Sequence, residues 1–178
     1  KIKEELSSDR VLVPYQPDLP VILACDASPY GISGVLSHRI NGEEKPIMFT
    51  SRSVAEKGYS QLDREALAIY YSVKKFFVYL YGRKFELQTD NAPLSRIFKE
   101  DAQLPTITSA RLLRYAMFLI EFDYTIRHKK GELINKNADY LSRAPIHDVN
   151  RIEEEEEFFS VNQIRSLALN YETIAEET

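Results

Sequence analysis

Four carboxylates in this chain, Asp26, Glu65, Asp90 and Asp139, each fall at or near the end of a predicted secondary-structure element. Hard oxygen ligands brought to one place attract a hard cation, and Mg²⁺ held by carboxylates, water and substrate phosphate is the natural occupant, with Mn²⁺ as a substitute. Two such ions about 4 Å apart can activate a water and stabilise the leaving oxygen of an in-line phosphoryl displacement. That is the chemistry of a phosphodiester hydrolase. Each acid also has a plainer reading: Asp26 as a turn residue, Glu65 as a surface acid on an amphipathic helix, Asp90 as a helix N-cap, and Asp139 as a favourable charge in the first turn of a helix.

The elements that must position these acids are legible in order. Val21 to Cys25 is an uninterrupted apolar run ending in Asp26, the pattern of a strand buried on both faces. After the turn at Ser28-Pro29-Tyr30-Gly31, Ile32–Ile40 and Lys45–Thr50 flank Asn41-Gly42, the signal of a hairpin with a primed turn, so three antiparallel strands open the domain. Leu62, Ala66, Ile69, Val73, Phe76 and Leu80 then keep a 3.6-residue period, with Ser60 and Asp63 as a capping box and Gly82 at the helix end. Glu65 projects from the edge of that apolar face, where a lone buried carboxylate would be costly.

Lys84–Thr89 alternates and ends at Asp90, a second strand finishing in an acid. A strand–helix–strand succession of this length predicts a right-handed crossover to a parallel strand, and a place beside the first strand would make Asp26 and Asp90 neighbours. Asn91-Ala92-Pro93-Leu94 opens a short helix. A second long helix is expected over Ile107–Phe122, with Leu112, Leu113, Ala116, Leu119 and Ile120 on its core side and Arg111 and Arg114 off that stripe. Tyr124–His128 reads as a short strand, Lys129–Lys136 as a basic loop, and Asn137–Arg143 as a helix opened by an Asn cap. The expected architecture is α/β, a five-stranded mixed sheet flanked by helices.

Composition bounds the rest. The 178 residues, 44% hydrophobic, suffice for one compact domain with extensions. A single cysteine, Cys25, and the lack of any long apolar run argue for a reduced protein with neither export signal nor membrane span. A start at Lys1 without Met suggests a piece of something longer. The net charge of −4 hides a division: residues 146–178 hold nine acids against two arginines, net −7, which leaves residues 1–145 at +3. A mildly basic body with an acidic tail is compatible with a phosphate backbone. Residues 1–18, broken by Pro14 and Pro17, read as a linker, 19–145 as the domain, and 146–178 as an acidic, partly disordered connector.

Several blocks, kept in order, resemble the ribonuclease H domain of gypsy-type LTR retrotransposon Pol polyproteins. They are Cys25-Asp26-Ala27-Ser28 with Tyr30-Gly31-Ile32 and Val35-Leu36-Ser37, Pro46–Arg52, Tyr59–Ala68 around Glu65, Tyr79–Phe85, Thr89-Asp90-Asn91, Ala110-Arg111-Leu112, and Asn137–Arg143. The resemblance implies a ribonuclease H-like fold and an endonuclease that cuts the RNA strand of RNA/DNA hybrids, leaving a 3′-hydroxyl and a 5′-phosphate. It places Asp26, Glu65, Asp90 and Asp139 at the positions that bind two Mg²⁺ ions. Residues 1–18 would end a reverse transcriptase region, and the C-terminal connector would lead to an integrase. A cytoplasmic virus-like particle, and the nucleus with a pre-integration complex, are the implied locations.

Selectivity for a hybrid should come from 2′-hydroxyl and phosphate contacts rather than base edges. Ser28, Arg52, Asn91 and Arg143 are candidates because they flank the carboxylates, although capping or surface roles suit each of them too. Two departures from cellular relatives stand out. The short span from Asn91 to Ala110 leaves no room for a basic helical protrusion, so the polymerase domain is expected to supply grip on the nucleic acid. The histidine expected in the loop before the last acid has only His128 as a counterpart, and His128 aligns better with the end of the preceding strand. A non-catalytic scaffold on the same fold is the alternative reading, weighed against by the four retained carboxylates. An integrase-like core is disfavoured by Asp139-Tyr140-Leu141-Ser142-Arg143.

Overall fold

In a computed structural model of the chain, the structure describes residues 12–54, 58–99, 109–129 and 141–143. Five strands form one mixed sheet in the order β3-β2-β1-β4-β5. They are β1 (Val21–Ala27), β2 (Gly31–Ile40), β3 (Glu43–Ser53), β4 (Phe85–Thr89) and β5 (Tyr124–His128). The helices whose whole extent lies among the described residues are α1 (Gln61–Lys75), α2 (Phe77–Leu80), α3 (Ala92–Ile97) and α4 (Ala110–Leu119). None of the helices among the described residues is long and apolar enough to cross a membrane.

The continuous apolar run of β1 is explained by its central place. All seven of its residues are buried, and its two faces serve different partners. Val21, Leu23, Cys25 and Ala27 enter the main core, while Ala24 packs with Val35 and Phe49 in a separate cluster. Cys25 is a packing residue: burial pushes its thiol up to about 12, so the reactive thiolate does not form at neutral pH. The β2–β3 hairpin turns at Asn41-Gly42 with φ of 53° and 83°, as a primed turn requires. β4 pairs with β1 in parallel, Val21 opposite Phe85 and Ala24 opposite Gln88, which sends both strands toward the same edge. β5 extends the sheet in parallel, Thr89 opposite His128.

α1 supplies the helical layer over β1 and β2. Its capping box forms as read, the Ser60 hydroxyl accepting from the Asp63 N–H and the Asp63 carboxylate accepting from the Ser60 N–H. The expected single helix to Leu80 is interrupted, however. Phe76 leaves helical geometry at φ −100° and ψ 19°, and a separate turn, α2, carries Leu80 into the core. Phe77 there stacks on Tyr81 and meets Phe122 edge to face, packing that local propensity does not encode. Gly82, with φ of 74°, ends α2 rather than α1.

α4 also departs from expectation in the face it buries. Leu112, Tyr115, Ala116 and Leu119 point inward and Ile120 is 68% exposed. Ile120 is the C-cap, where the chain is already turning toward β5, and the aromatic Tyr115 takes the core position by stacking on Tyr70. Gly34 allows a close sheet–helix approach: a Cβ there would lie 2.2 Å from the Ser72 hydroxyl oxygen.

The described part of the expected linker is docked. Val13 donates its N–H to Pro46 O, and Gln16 donates to Nε2 of the buried His38 at 2.8 Å. Arg83 reaches across to the Tyr15 hydroxyl and to the carbonyls of Pro17 and Leu19. Residues 12–20 therefore form a strap along the domain.

Candidate functional site

Parallel pairing of β1 and β4 brings Asp26, at the penultimate position of β1, beside Asp90, the residue that follows β4. α1 adds Glu65 from its second turn, and carboxylate oxygens of the three residues all lie within 4.8 Å of one another. Asp26 and Glu65 are buried and Asp90 is half-buried. Asp139 lies outside the described residues, which resume at Leu141.

Glu65 carries the clearest electrostatic signature. Its Oε1 accepts from Gln61 Nε2 at 2.6 Å, while Oε2 is buried without a hydrogen-bond partner. Burial first, then the charges of Asp90 and Asp26, push its carboxyl from 4.5 up to about 8, against smaller opposing effects of the Gln61 bond and the Arg64 charge. A buried carboxylate with one orphaned oxygen, grouped with two further acids, is the donor set that a hard divalent cation completes. The residues present fit such an ion.

Two supporting residues escaped the sequence reading. Gln61 Nε2 donates both to Glu65 and to Ala27 O at 3.1 Å, tying α1 to the end of β1. Its spacing of four from Glu65, on one helix face, was the available signal. Ser142, in the block after Asp139, donates its hydroxyl to Asp26 Oδ2 at 2.5 Å.

The other candidates occupy varied places. Ser28 is buried, and its hydroxyl donates to Ser142 O at 2.6 Å while accepting from the N–H groups of Tyr30 and Gly31, so this oxygen is engaged internally. Asn91 caps α3, its Oδ1 accepting from the Leu94 N–H at 3.1 Å; the capping role considered for Asp90 therefore falls to its neighbour. Arg52 sits on β3 at the same sheet edge as the β1–β2 turn, its guanidinium over the Tyr71 ring. Arg143 is exposed. His128 is the last residue of β5, and its Nε2 donates to the backbone carbonyl of Asp90 at 3.0 Å.

Comparison with known proteins agrees with this layout. The family described as "RNase H-like domain found in reverse transcriptase" matches residues 16–122. The Drosophila melanogaster retrovirus-related Pol polyprotein from transposon 412 is 31% identical over 132 residues, 73% of this chain and 10% of that protein. The corresponding polyprotein from transposon gypsy of the same species is 31% identical over 176 residues, 96% of this chain and 16% of that protein. The chain thus spans only a small part of the length of these relatives. Among solved structures, a foamy viral protease–reverse transcriptase in complex with double-stranded DNA superposes with a TM-score of 0.59 at 16% identity, over 72% of this chain and 24% of that one. RNase H1 from Halobacterium salinarum does so with a TM-score of 0.53 at 16% identity, over 71% of this chain and 99% of that one. At these identities the structures speak for the fold, a ribonuclease H-like one, and the sequence match carries the assignment: the chain belongs to the RNase H-like domains found in reverse transcriptases, within the group carried by Pol polyproteins of gypsy-type transposons.

Proposed function

We propose that this domain is a metal-dependent endonuclease that hydrolyses the RNA strand of RNA/DNA hybrids during reverse transcription, releasing 3′-hydroxyl and 5′-phosphate ends. The observation that carries the reading is the trio Asp26, Glu65 and Asp90, whose carboxylate oxygens lie within 4.8 Å of one another, with one Glu65 oxygen buried and without a hydrogen-bond partner. Asp26, Glu65, Asp90 and Asp139 would hold two Mg²⁺ ions, which when bound neutralise charge on the scissile phosphate and make water a better nucleophile. The chain's own residues prepare the place. Gln61 orients Glu65 and joins α1 to β1, and the cap given by Asn91 starts α3 directly behind Asp90, leaving the Asp90 side chain at the strand end. Glu65 must give up its proton to serve as a ligand, and a cation repays that cost by removing the repulsion that raised its affinity for the proton.

Recognition of the hybrid would rest on sugar and phosphate contacts. Arg52 and Arg143 are the cationic candidates for the phosphates. Ser28 and Asn91 contribute mainly to the frame, since their side-chain oxygens are occupied at the β1–β2 turn and at the start of α3. His128, bonded to the Asp90 backbone, would act as an auxiliary that steadies the end of β4. The polymerase region upstream and an integrase downstream would be partners in the same polyprotein.

The test is cleavage of a labelled RNA/DNA hybrid in Mg²⁺ and in Mn²⁺, with RNA duplex and DNA duplex controls and with Asp90→Asn alongside. Cleavage of the hybrid's RNA strand alone, abolished in Asp90→Asn while its melting curve remains cooperative, is the expected result. No cleavage, even with the upstream polymerase region attached, would leave a scaffold on the same fold.

A further inference from the structure

Ser142 is fully buried and makes two hydrogen bonds of opposite sense to the end of β1 and the turn after it. Its backbone carbonyl accepts from the Ser28 hydroxyl at 2.6 Å, and its own hydroxyl donates to Asp26 Oδ2 at 2.5 Å. The Ser28 hydroxyl is itself aimed by accepting from the Tyr30 and Gly31 N–H groups, each at 3.1 Å. One residue is thus gripped through its main chain while its side chain grips a carboxylate 116 positions away.

A carboxylate turns easily about its last torsion, which is broad rather than three-fold. A short O–H···O⁻ bond to one oxygen fixes the plane of the group and therefore the direction of the other. We propose that Ser142 is a positioning residue of the metal site: it sets the Asp26 carboxylate before the cation arrives, and it does so from the segment that carries Asp139 three positions earlier. The proposal rests on the function argued above and deepens it. Residues that orient metal ligands from behind commonly govern affinity by one to two orders of magnitude.

A competing account makes Ser142 only an attachment point for residues 141–143. The two hydrogen bonds separate these accounts. Ser142→Ala removes the hydroxyl and keeps the carbonyl bond, whereas Ser28→Ala removes the carbonyl's partner and leaves the bond to Asp26. Mn²⁺ affinity of the 178-residue chain, read from the electron paramagnetic resonance of the free ion, is the measurement. It requires no turnover. Ser142→Ala should weaken Mn²⁺ binding by about 10- to 100-fold, Ser28→Ala by clearly less, and the loss from Ser142→Ala should persist when Asp139→Asn is already present.

An affinity for Ser142→Ala within about twofold of the unsubstituted chain would overturn the proposal, being well short of the expected loss. So would equal losses in Ser28→Ala and Ser142→Ala, or a loss that vanishes beside Asp139→Asn, since either result makes attachment the whole effect. Asp90→Asn keeps the proposed function separately testable: if it lowers affinity while Ser142→Ala does not, the metal site stands and only the role of Ser142 falls. If neither the chain nor Asp90→Asn binds Mn²⁺, the metal site and the proposal fall together.

Discussion

Replacing Glu65 with glutamine should make the metal-free domain more stable at alkaline pH, and the size of the gain should depend on pH in a defined way. Glu65 is 3% exposed, and burial together with Asp90 and Asp26 raises its carboxyl from 4.5 to about 8. Below pH 4.5 the acid is protonated whether the chain is folded or unfolded, so it adds no pH dependence. Between pH 4.5 and about 8 the unfolded chain releases this proton and the folded domain retains it. Stability then falls as pH rises, by up to about 1.4 kcal/mol per pH unit, and levels off above the folded value. The full shift corresponds to a ceiling of about 5 kcal/mol. Water entry and local relaxation reduce such costs, so a gain of about 2–3 kcal/mol for Glu65→Gln at about pH 8 is the working expectation. The substituted amide keeps the shape of the side chain and can still accept from Gln61. The assay is urea denaturation of both proteins from about pH 5 to about pH 9, a range that brackets the transition, with a chelator present. Addition of Mg²⁺ at about pH 8 should then stabilise the glutamate form and leave the glutamine form nearly unchanged. A difference between the two proteins that stays constant across pH, or a Glu65→Gln variant that is the less stable at alkaline pH, would refute the assigned electrostatics.

Other perturbations test other parts of the molecule. Gly34→Ala would set a Cβ 2.7 Å from Ser72 Cβ and 2.2 Å from its oxygen, so β2 and α1 must part. A loss of about 2–4 kcal/mol is expected in urea denaturation, with partial recovery on adding Ser72→Gly. Arg83→Ala removes the hold on Tyr15, Pro17 and Leu19. Hydrogen exchange at the Val13 and Gln16 amides should accelerate by about tenfold or more, with exchange in β1 unchanged. Removal of residues 150–178, which carry eight of the nine C-terminal acids, should strengthen binding to an RNA/DNA hybrid, most at low salt. Equal affinity for the full and shortened chains at low salt would show that the tail does not compete with phosphate.

Much of the domain could be read before folding because its signals are local. Asn41-Gly42 specifies its turn, Ser60 and Asp63 specify the start of α1, and the unbroken apolarity from Val21 to Cys25 is the pattern of a strand covered on both faces. The acids at the ends of β1 and β4 were visible for the same reason; the crossover rule predicts parallel strands, and the pairing of β4 directly beside β1 makes the acids neighbours. The break at Phe76, the outward turn of Ile120 and the docking of residues 12–20 were not legible. Each depends on partners far along the chain: Phe122 for Phe77, Tyr70 for the Tyr115 that takes the core position in place of Ile120, and Arg83 with His38 for the strap.

The candidate site divides along the same line. Residue types and their positions at element ends are properties of the sequence, and with the family resemblance they nominate Asp26, Glu65 and Asp90 as candidate ligands of a hard cation. What those ligands experience is a property of packing. Only the folded chain strips water from Glu65, leaves Oε2 without a partner and places Ser142 against Asp26, because desolvation and hydrogen bonds between residues far apart in the chain arise when distant segments meet.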